Sequence, residues 1–169
     1  IEISGDGQKF EEITDAGTGQ NKLGYVNCIR SIAGKFYVCG YRRQVYEYSE
    51  GSWRHSDSGI LLGKETIGYG FSAISGASPS NLLAVGRHGE VFQGDGSKWR
   101  QIDSGTNVAL TDCCWHDSKT AYVCGKKGTV LRLSDNIPEL LTDPEFAESL
   151  WSICSFQGKI LAAHGYTSR

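Results

Sequence analysis

Apolar and polar residues alternate over short runs through most of this chain, and the runs come in groups of four. Between Phe71 and Gly105, the runs FSAI, LLAV, EVF and KWRQI place β-branched or aromatic residues at alternating positions. The separators GASPSN, GRHG and QGDGS hold the Gly, Pro, Asn, Asp and Ser of tight turns. A period of two marks a strand with one face buried, so this stretch predicts an antiparallel meander of four strands. Gly86 and Gly89 on one side, and Gly94 and Gly96 on the other, supply positive φ where tight turns need it.

The rest of the chain repeats that unit. One copy predicts strands near residues 27–32, 36–39, 44–48 and 53–56, and another sets TDCCW, AYVCG, TVLRL and PELLT in the four strand places. Residues 1–17 match only the second half of the unit, and residues 150–165 only the first half. Gly40, Gly86, Gly125 and Gly165 follow the second strand at intervals of 46, 39 and 40 residues, and Trp53 to Trp99 is again 46. A four-stranded repeat of this length is the signature of propeller blades, whose sheets bury one another's faces around an axis. The expected fold is an all-β, β-propeller domain over 1–169, with blades at 25–59, 67–105 and 109–143 and half-blades at 1–17 and 150–169. From Gly165 to Phe10 through joined termini is 14 positions, against 13 from Gly86 to Trp99. The halves could therefore share a fourth blade and close a ring without an open sheet edge. A segment of a larger ring of six to eight blades is the alternative. Pro138 stands where Trp99 stood, which an outer edge strand tolerates. The segment DPEFAES, at 143–149, is the one place where a helical turn is expected.

The run ISGASPSNLLAVGRHGEVFQGDGSKWRQIDSGT resembles bacterial β-propeller repeats of the WD-repeat, kelch and photosystem-assembly-factor type. Such units read as a small-residue turn, an A-V-G ending, a Gly-containing turn and a G-x-x-W strand. The chain departs from the true WD repeat, having neither W-D at a strand end nor an opening G-H. Asp95 to Trp99 is one residue short of the sialidase D-x-G-x-x-W, so glycosidase chemistry is not carried across. The resemblance implies a binding scaffold, of which some members serve as immunity or accessory partners in toxin-delivery loci.

Composition narrows the function. With 22 Gly, 3 Pro and 11% aromatic residues the chain suits short strands and tight turns, and a formal charge of -2 gives no global pull toward nucleic acid or anionic membrane. Absence of a long apolar run and of a basic, apolar opening points to a soluble, cytoplasmic chain, although a leader ahead of Ile1 stays open. Cys28 and Cys39 are 11 apart, as are Cys113 and Cys124. Cross-strand disulfides of that kind are geometrically awkward, so reduced core thiols are expected. Cys113 and Cys114 should point to opposite faces of their strand.

Catalytic motifs are missing: there is no G-x-S-x-G, no H-E-x-x-H, and GILLGK at 59–64 falls short of a phosphate-binding loop. His55, His88, His116 and His164 occupy different places in their units, which argues against a shared metal site. Asp57, Asp103 and Asp143 recur at outer-strand ends, where an Asp satisfies turn amides. No enzyme activity, metal or cofactor is therefore expected. What recurs with chemical character is the turn after the second strand. It carries Tyr41, Arg42 and Arg43, then Arg87 and His88, then Lys126 and Lys127, with Arg169 at the last place. Propeller geometry puts such turns on one face, where they would form a positive ring for an acidic protein partner, with Tyr41, Leu61, Leu62 and Phe146 as apolar anchors. Tyr69 and Trp115 are assigned to blade packing. Nucleic acid lacks the interleaved aromatics it would need. A carbohydrate-binding propeller or degenerate glycosidase is the second class.

Overall fold

The computed structural model describes residues 2–4, 7–9, 12–141, 143 and 145–165, with 2–4 and 7–9 as backbone. Its strands are β1 Glu2–Ser4, β2 Gly7–Lys9, β3 Val26–Ile32, β4 Lys35–Gly40, β5 Val45–Ser49, β6 Ser52–His55, β7 Phe71–Ser78 and β8 Asn81–Gly86. They continue as β9 Val91–Gly94, β10 Trp99–Ile102, β11 Leu110–Trp115, β12 Thr120–Gly125, β13 Val130–Ser134, β14 Ile137–Leu140, β15 Leu150–Phe156 and β16 Lys159–His164. Consecutive strands pair antiparallel into three sheets of four, β3–β6, β7–β10 and β11–β14, with the two-stranded hairpins β1–β2 and β15–β16 before and after them in the chain. The fold is a β-propeller, and the three full sheets are blades 1, 2 and 3.

First strands β3, β7, β11 and β15 lie against one another in that order. Each skips a residue near its start, at Asn27, Ser72, Thr111 and Trp151, and β7 skips a second at Ala77. Such a bulge leaves the extra residue outside the ladder and re-aims its side chain. Asn27 Nδ2 thereby donates to Phe71 O at 2.8 Å, and Thr111 Oγ1 to Leu150 O at 2.7 Å. In both cases the bulge stitches one blade to the first strand of the next.

The core lies between blades rather than within one. Tyr37, Cys39 and Val45 of blade 1 meet Phe71, Ile74 and Leu82 of blade 2. Leu83, Val85 and Val91 of blade 2 meet Leu110, Val123 and Leu131 of blade 3. Because blade 2 is covered on both faces, its run Leu82, Leu83, Ala84 and Val85 is buried without alternation. Each large apolar side chain in it stabilises the fold by ~2 kcal/mol. A smaller cluster of Cys124, Leu150 and Ile153 joins blade 3 to β15–β16.

Two sequence expectations change. The described residues of 143–149 form a turn, in which Phe146 N donates to Asp143 O at 3.0 Å and Glu145 N to Asp143 Oδ1 at 2.9 Å. Among those described residues there is no helix, and Glu148 O instead accepts Gly128 N of the blade 3 turn at 2.8 Å. Arg87–Gly89 is likewise a tight turn and not a helix, with His88 at φ 58°. The equal cysteine spacings also do not mean equal register. Cys28 sits opposite Cys39, but Cys113 sits opposite Val123 and Asp112 opposite Cys124. The first hairpin turns on Ala33 and Gly34, whereas the loop before Thr120 is longer, with His116 N donating back to Thr120 O at 2.8 Å. All six cysteines are free, and Cys113 and Cys114 face different clusters. The proposed joint between 166–169 and Ile1 lies outside the described residues. No helix among those residues is long and apolar enough to cross a membrane.

Candidate functional site

Three five-residue turns, 40–44, 86–90 and 125–129, share one backbone. The first N–H of each bonds the last C=O, from Gly40, Gly86 and Gly125 to Gln44, Glu90 and Thr129, at 3.0, 2.9 and 2.9 Å. The second residue of each reaches back to the preceding connector, Tyr41 N to Tyr25 O, Arg87 N to Gly70 O and Lys126 N to Ala109 O. Those carbonyls leave no room for a Cβ at Gly40, Gly86 or Gly125, which is why glycine recurs there. The third and fourth residues both take positive φ: Arg42 and Arg43, His88 and Gly89, Lys127 and Gly128. A tight loop with this twist throws its third side chain outward, so residues far apart in sequence reach the same face.

The cations of these turns divide into two sets. Arg43 turns inward: its Nε donates to Glu90 Oε1 at 2.6 Å, and its guanidinium lies over the rings of Phe92 and Tyr69, 4.7 and 6.0 Å from their centroids. Glu90 is buried, and its other oxygen accepts Gly70 N at 3.1 Å. Arg42 holds loops together, donating to Lys64 O at 2.8 Å and Lys22 O at 3.5 Å. Arg87, His88, Lys126 and Lys127 are exposed. Among the described residues, no carboxylate pairs with Arg87, Lys126 or Lys127. Their charge therefore faces solvent. Arg169 lies outside the described residues.

Aromatic side chains run between these cations. Arg87 stacks on Tyr41, 4.9 Å from the ring centroid, and donates to its hydroxyl at 3.0 Å. Tyr41 meets Tyr25 edge to face at 6.4 Å, and His88 lies 4.7 Å from Tyr69. Tyr25 is 58% exposed and nearby Ile67 in the connector 87% exposed. Sequence reading assigned Tyr69 to packing; in fact it is exposed and stacked on the turn of blade 2. Tyr25 and Ile67 were missed, since both sit in connectors outside the repeat pattern. Of the other suggested anchors, Leu61 is exposed, while Leu62 is half-buried and Phe146 packs on the blade 3 cluster. Trp115 packs between blades.

The recurring carboxylates cap turns. Asp57 accepts Val45 N at 3.0 Å, and Asp103 accepts Gly105 N at 3.0 Å. His55 is clamped by two of them, Nε2 to Asp15 at 2.6 Å and Nδ1 to Asp57 at 3.0 Å. Beside it, an open cleft of about 690 Å³ is lined by Glu12, Asp15, Tyr46, Trp53 and His55. Among the described residues no three His, Cys, Asp or Glu side chains gather as a metal site.

No family model matches the sequence. The Immune protein Tsi7 of Pseudomonas aeruginosa is 37% identical to the chain over 149 residues, covering 86% of this chain and 47% of that protein. Among solved structures, YCF48 from Cyanidioschyzon merolae matches with a TM-score of 0.63 at 17% identity, over 90% of this chain and 52% of the other. The chain thus spans about half the length of each protein. The likeness to YCF48, a propeller-like protein, speaks to the fold alone.

Proposed function

We propose that the chain is a non-enzymatic immunity propeller, which neutralises a bacterial toxin by binding it through the basic-turn face. Likeness to the Immune protein Tsi7 supports the class of function. The observation that carries the siting is the stacked strip Tyr25–Tyr41–Arg87, continued by His88 on Tyr69. Tyr and Arg held in place by stacking present large contact area at little entropic cost, and such residues dominate binding energy at protein interfaces. Unpaired Arg87 in the strip, with Lys126 and Lys127 in the equivalent turn of blade 3, favours an acidic partner surface, which these cations would steer and orient. A toxin acting in the cytoplasm places the propeller there too. Among repeat types, the A-V-G ending and G-x-x-W strand favour the photosystem-assembly-factor kind over WD repeats.

The test uses a toxin sought among the products of the neighbouring genes. Replacing Arg87, Lys126 and Lys127 with Glu should weaken its capture by at least about tenfold and abolish growth protection, with the unfolding midpoint unchanged. Undiminished capture by the triple variant defeats the siting, and absence of both capture and protection with the unaltered chain defeats the immunity reading. A carbohydrate ligand is the second reading, favoured by Trp53 and the carboxylates of Glu12 and Asp15 in the open cleft. Binding on a glycan array that Trp53→Ala removes would select it.

A further inference from the structure

Cys28 differs from the other cysteines in what surrounds its sulfur. It lies on β3 directly opposite Cys39 of β4, and Cys39 is fully buried while Cys28 is half-buried. Directly opposed residues have Cα atoms about 4.5–5.5 Å apart, within the span a disulfide bridges. Ile74 of β7, across the blade 1–blade 2 seam, belongs to the cluster against which Cys28 packs. Arg30 stands two residues along the same face of β3, its guanidinium held by Asp112 at 3.2 Å. From β11, Asp112 and Cys113 complete the charged and titratable groups facing this sulfur. Asp112 opposes a thiolate, but its charge is spread over Arg30, Ser152 Oγ and the N–H groups of Cys113 and Ile153. Cys28 is only half-buried, and it packs against the clusters on both faces of blade 2.

We infer that Cys28, the more accessible of the opposed pair, is a nucleophilic site for peroxide-class oxidants, with Cys39 as its resolving thiol. The Cys39 thiol facing it, with help from the Ile74 backbone and Arg30, outweighs burial and lowers the Cys28 pKa to about 6. Burial pushes Cys39 well up, so it keeps its proton. Burial likewise raises Cys113 and Cys124, and takes Cys114 to about 11, leaving Cys28 as the selective nucleophile among them. In the first step the Cys28 sulfur attacks one peroxide oxygen, the O–O bond breaks, and the departing hydroxide takes a proton to become water. The sulfenic acid is then attacked by the Cys39 sulfur, and its hydroxyl leaves as a second water with the Cys39 proton. The two thiols lose two electrons and peroxide gains them. A cross-strand bridge here is strained and readily reduced, which suits a reversible modification rather than a structural bond.

The test begins with the reduced, full chain and iodoacetamide, read by peptide mapping across pH. Cys28 should label first, ahead of the exposed Cys154, with a midpoint near pH 6. Hydrogen peroxide should then remove two hydrogens and link the Cys28 and Cys39 peptides, and dithiothreitol should reverse it. Cys39→Ser should stop the reaction at a sulfenic acid on Cys28 that dimedone traps, and Arg30→Gln should slow it. Labelling of Cys154 first, with Cys28 silent below about pH 8, overturns the proposal. So does peroxide treatment that leaves the two peptides unlinked. Both measurements use the unaltered chain, so a variant that fails to fold does not rescue the idea.

Discussion

The turns of blade 1 and blade 3 follow the same path by different means. At the fourth position blade 3 has Gly128, φ 65°, with Phe146 O packed against its Cα so closely that no Cβ fits. Blade 1 has Arg43 there, φ 62°, a conformation that disfavours a branched side chain. What differs is the connector. In blade 3 the backbone of 143–149 comes in to touch the turn, while in blade 1 the longer connector 57–70 leaves space that Arg43 fills. There its guanidinium meets Glu90 and the rings of Phe92 and Tyr69. One position is closed by backbone and the other by a charged, stacked side chain. A repeat can thus keep its geometry while exchanging the force that holds it.

The largest effect is expected where the charge is buried. Arg43→Ala removes the partner of Glu90, whose side chain is 3% exposed, and leaves a carboxylate uncompensated in the interior. Breaking a buried pair in this way costs about 3–5 kcal/mol, and alanine, which keeps a Cβ, relieves none of the positive φ. Denaturant unfolding of Arg43→Ala and of the double variant Arg43→Ala with Glu90→Gln checks it. The second change should recover part of the loss, and no recovery would mean that packing rather than charge matters. Gly128→Ala comes next, at roughly 2 kcal/mol, because the new Cβ meets the Phe146 carbonyl and the φ is unfavourable as well. Gly105→Ala is the control, since its φ is 68° but nothing lies within 4 Å of the added carbon. Equal losses at both sites would remove the close approach from the account.

These contrasts mark what was legible in the chain. Alternation and turn residues located the meanders, because each strand buries one face against a neighbouring blade. Recurrence of Gly40, Gly86 and Gly125 pointed to the shared turns, since the same steric demand recurs at the same offset. Whether a turn cation faces solvent was not legible. Arg42 and Lys127 hold the same third place in their turns, and only the path of connectors outside the repeat separates Arg42, tied to Lys64 O and Lys22 O, from Lys127, which faces solvent. Tyr25, Ile67 and Tyr69 escaped for the same reason: connectors carry no period, so nothing local says which of their side chains reach the face. The register of Cys113 was hidden by loop length, as equal spacing in sequence conceals unequal hairpin turns.

The smallest effect also separates blade 1, which leans on charged side chains a second time. His55 joins Asp57 at the end of β6 to Asp15 in the segment before β3. Burial opposes its charge, but the hydrogen bonds and charges of Asp57 and Asp15 prevail and raise its pKa above 6.5. Burial of Asp15 is likewise outweighed, by its hydrogen bonds with Tyr46 and His55, so that its pKa falls below 3.8. A raised histidine contributes stability that is complete below its ordinary value and is lost as pH rises through the folded one. A lowered carboxylate contributes stability that is complete above its ordinary value and is lost as pH falls. The clasp is therefore strongest between about pH 4 and pH 6.5, and weakens on either side. Both side chains are at least a third exposed, so solvent screens the interaction and the expected shift is small. The unaltered chain should lose more of its unfolding free energy between about pH 6 and pH 8 than His55→Gln does, and amide exchange in β5 and β6 should quicken over the same range. Parallel pH curves for the two proteins would show that His55 holds nothing, and would leave the Arg43–Glu90 pair as the charged contact that distinguishes blade 1.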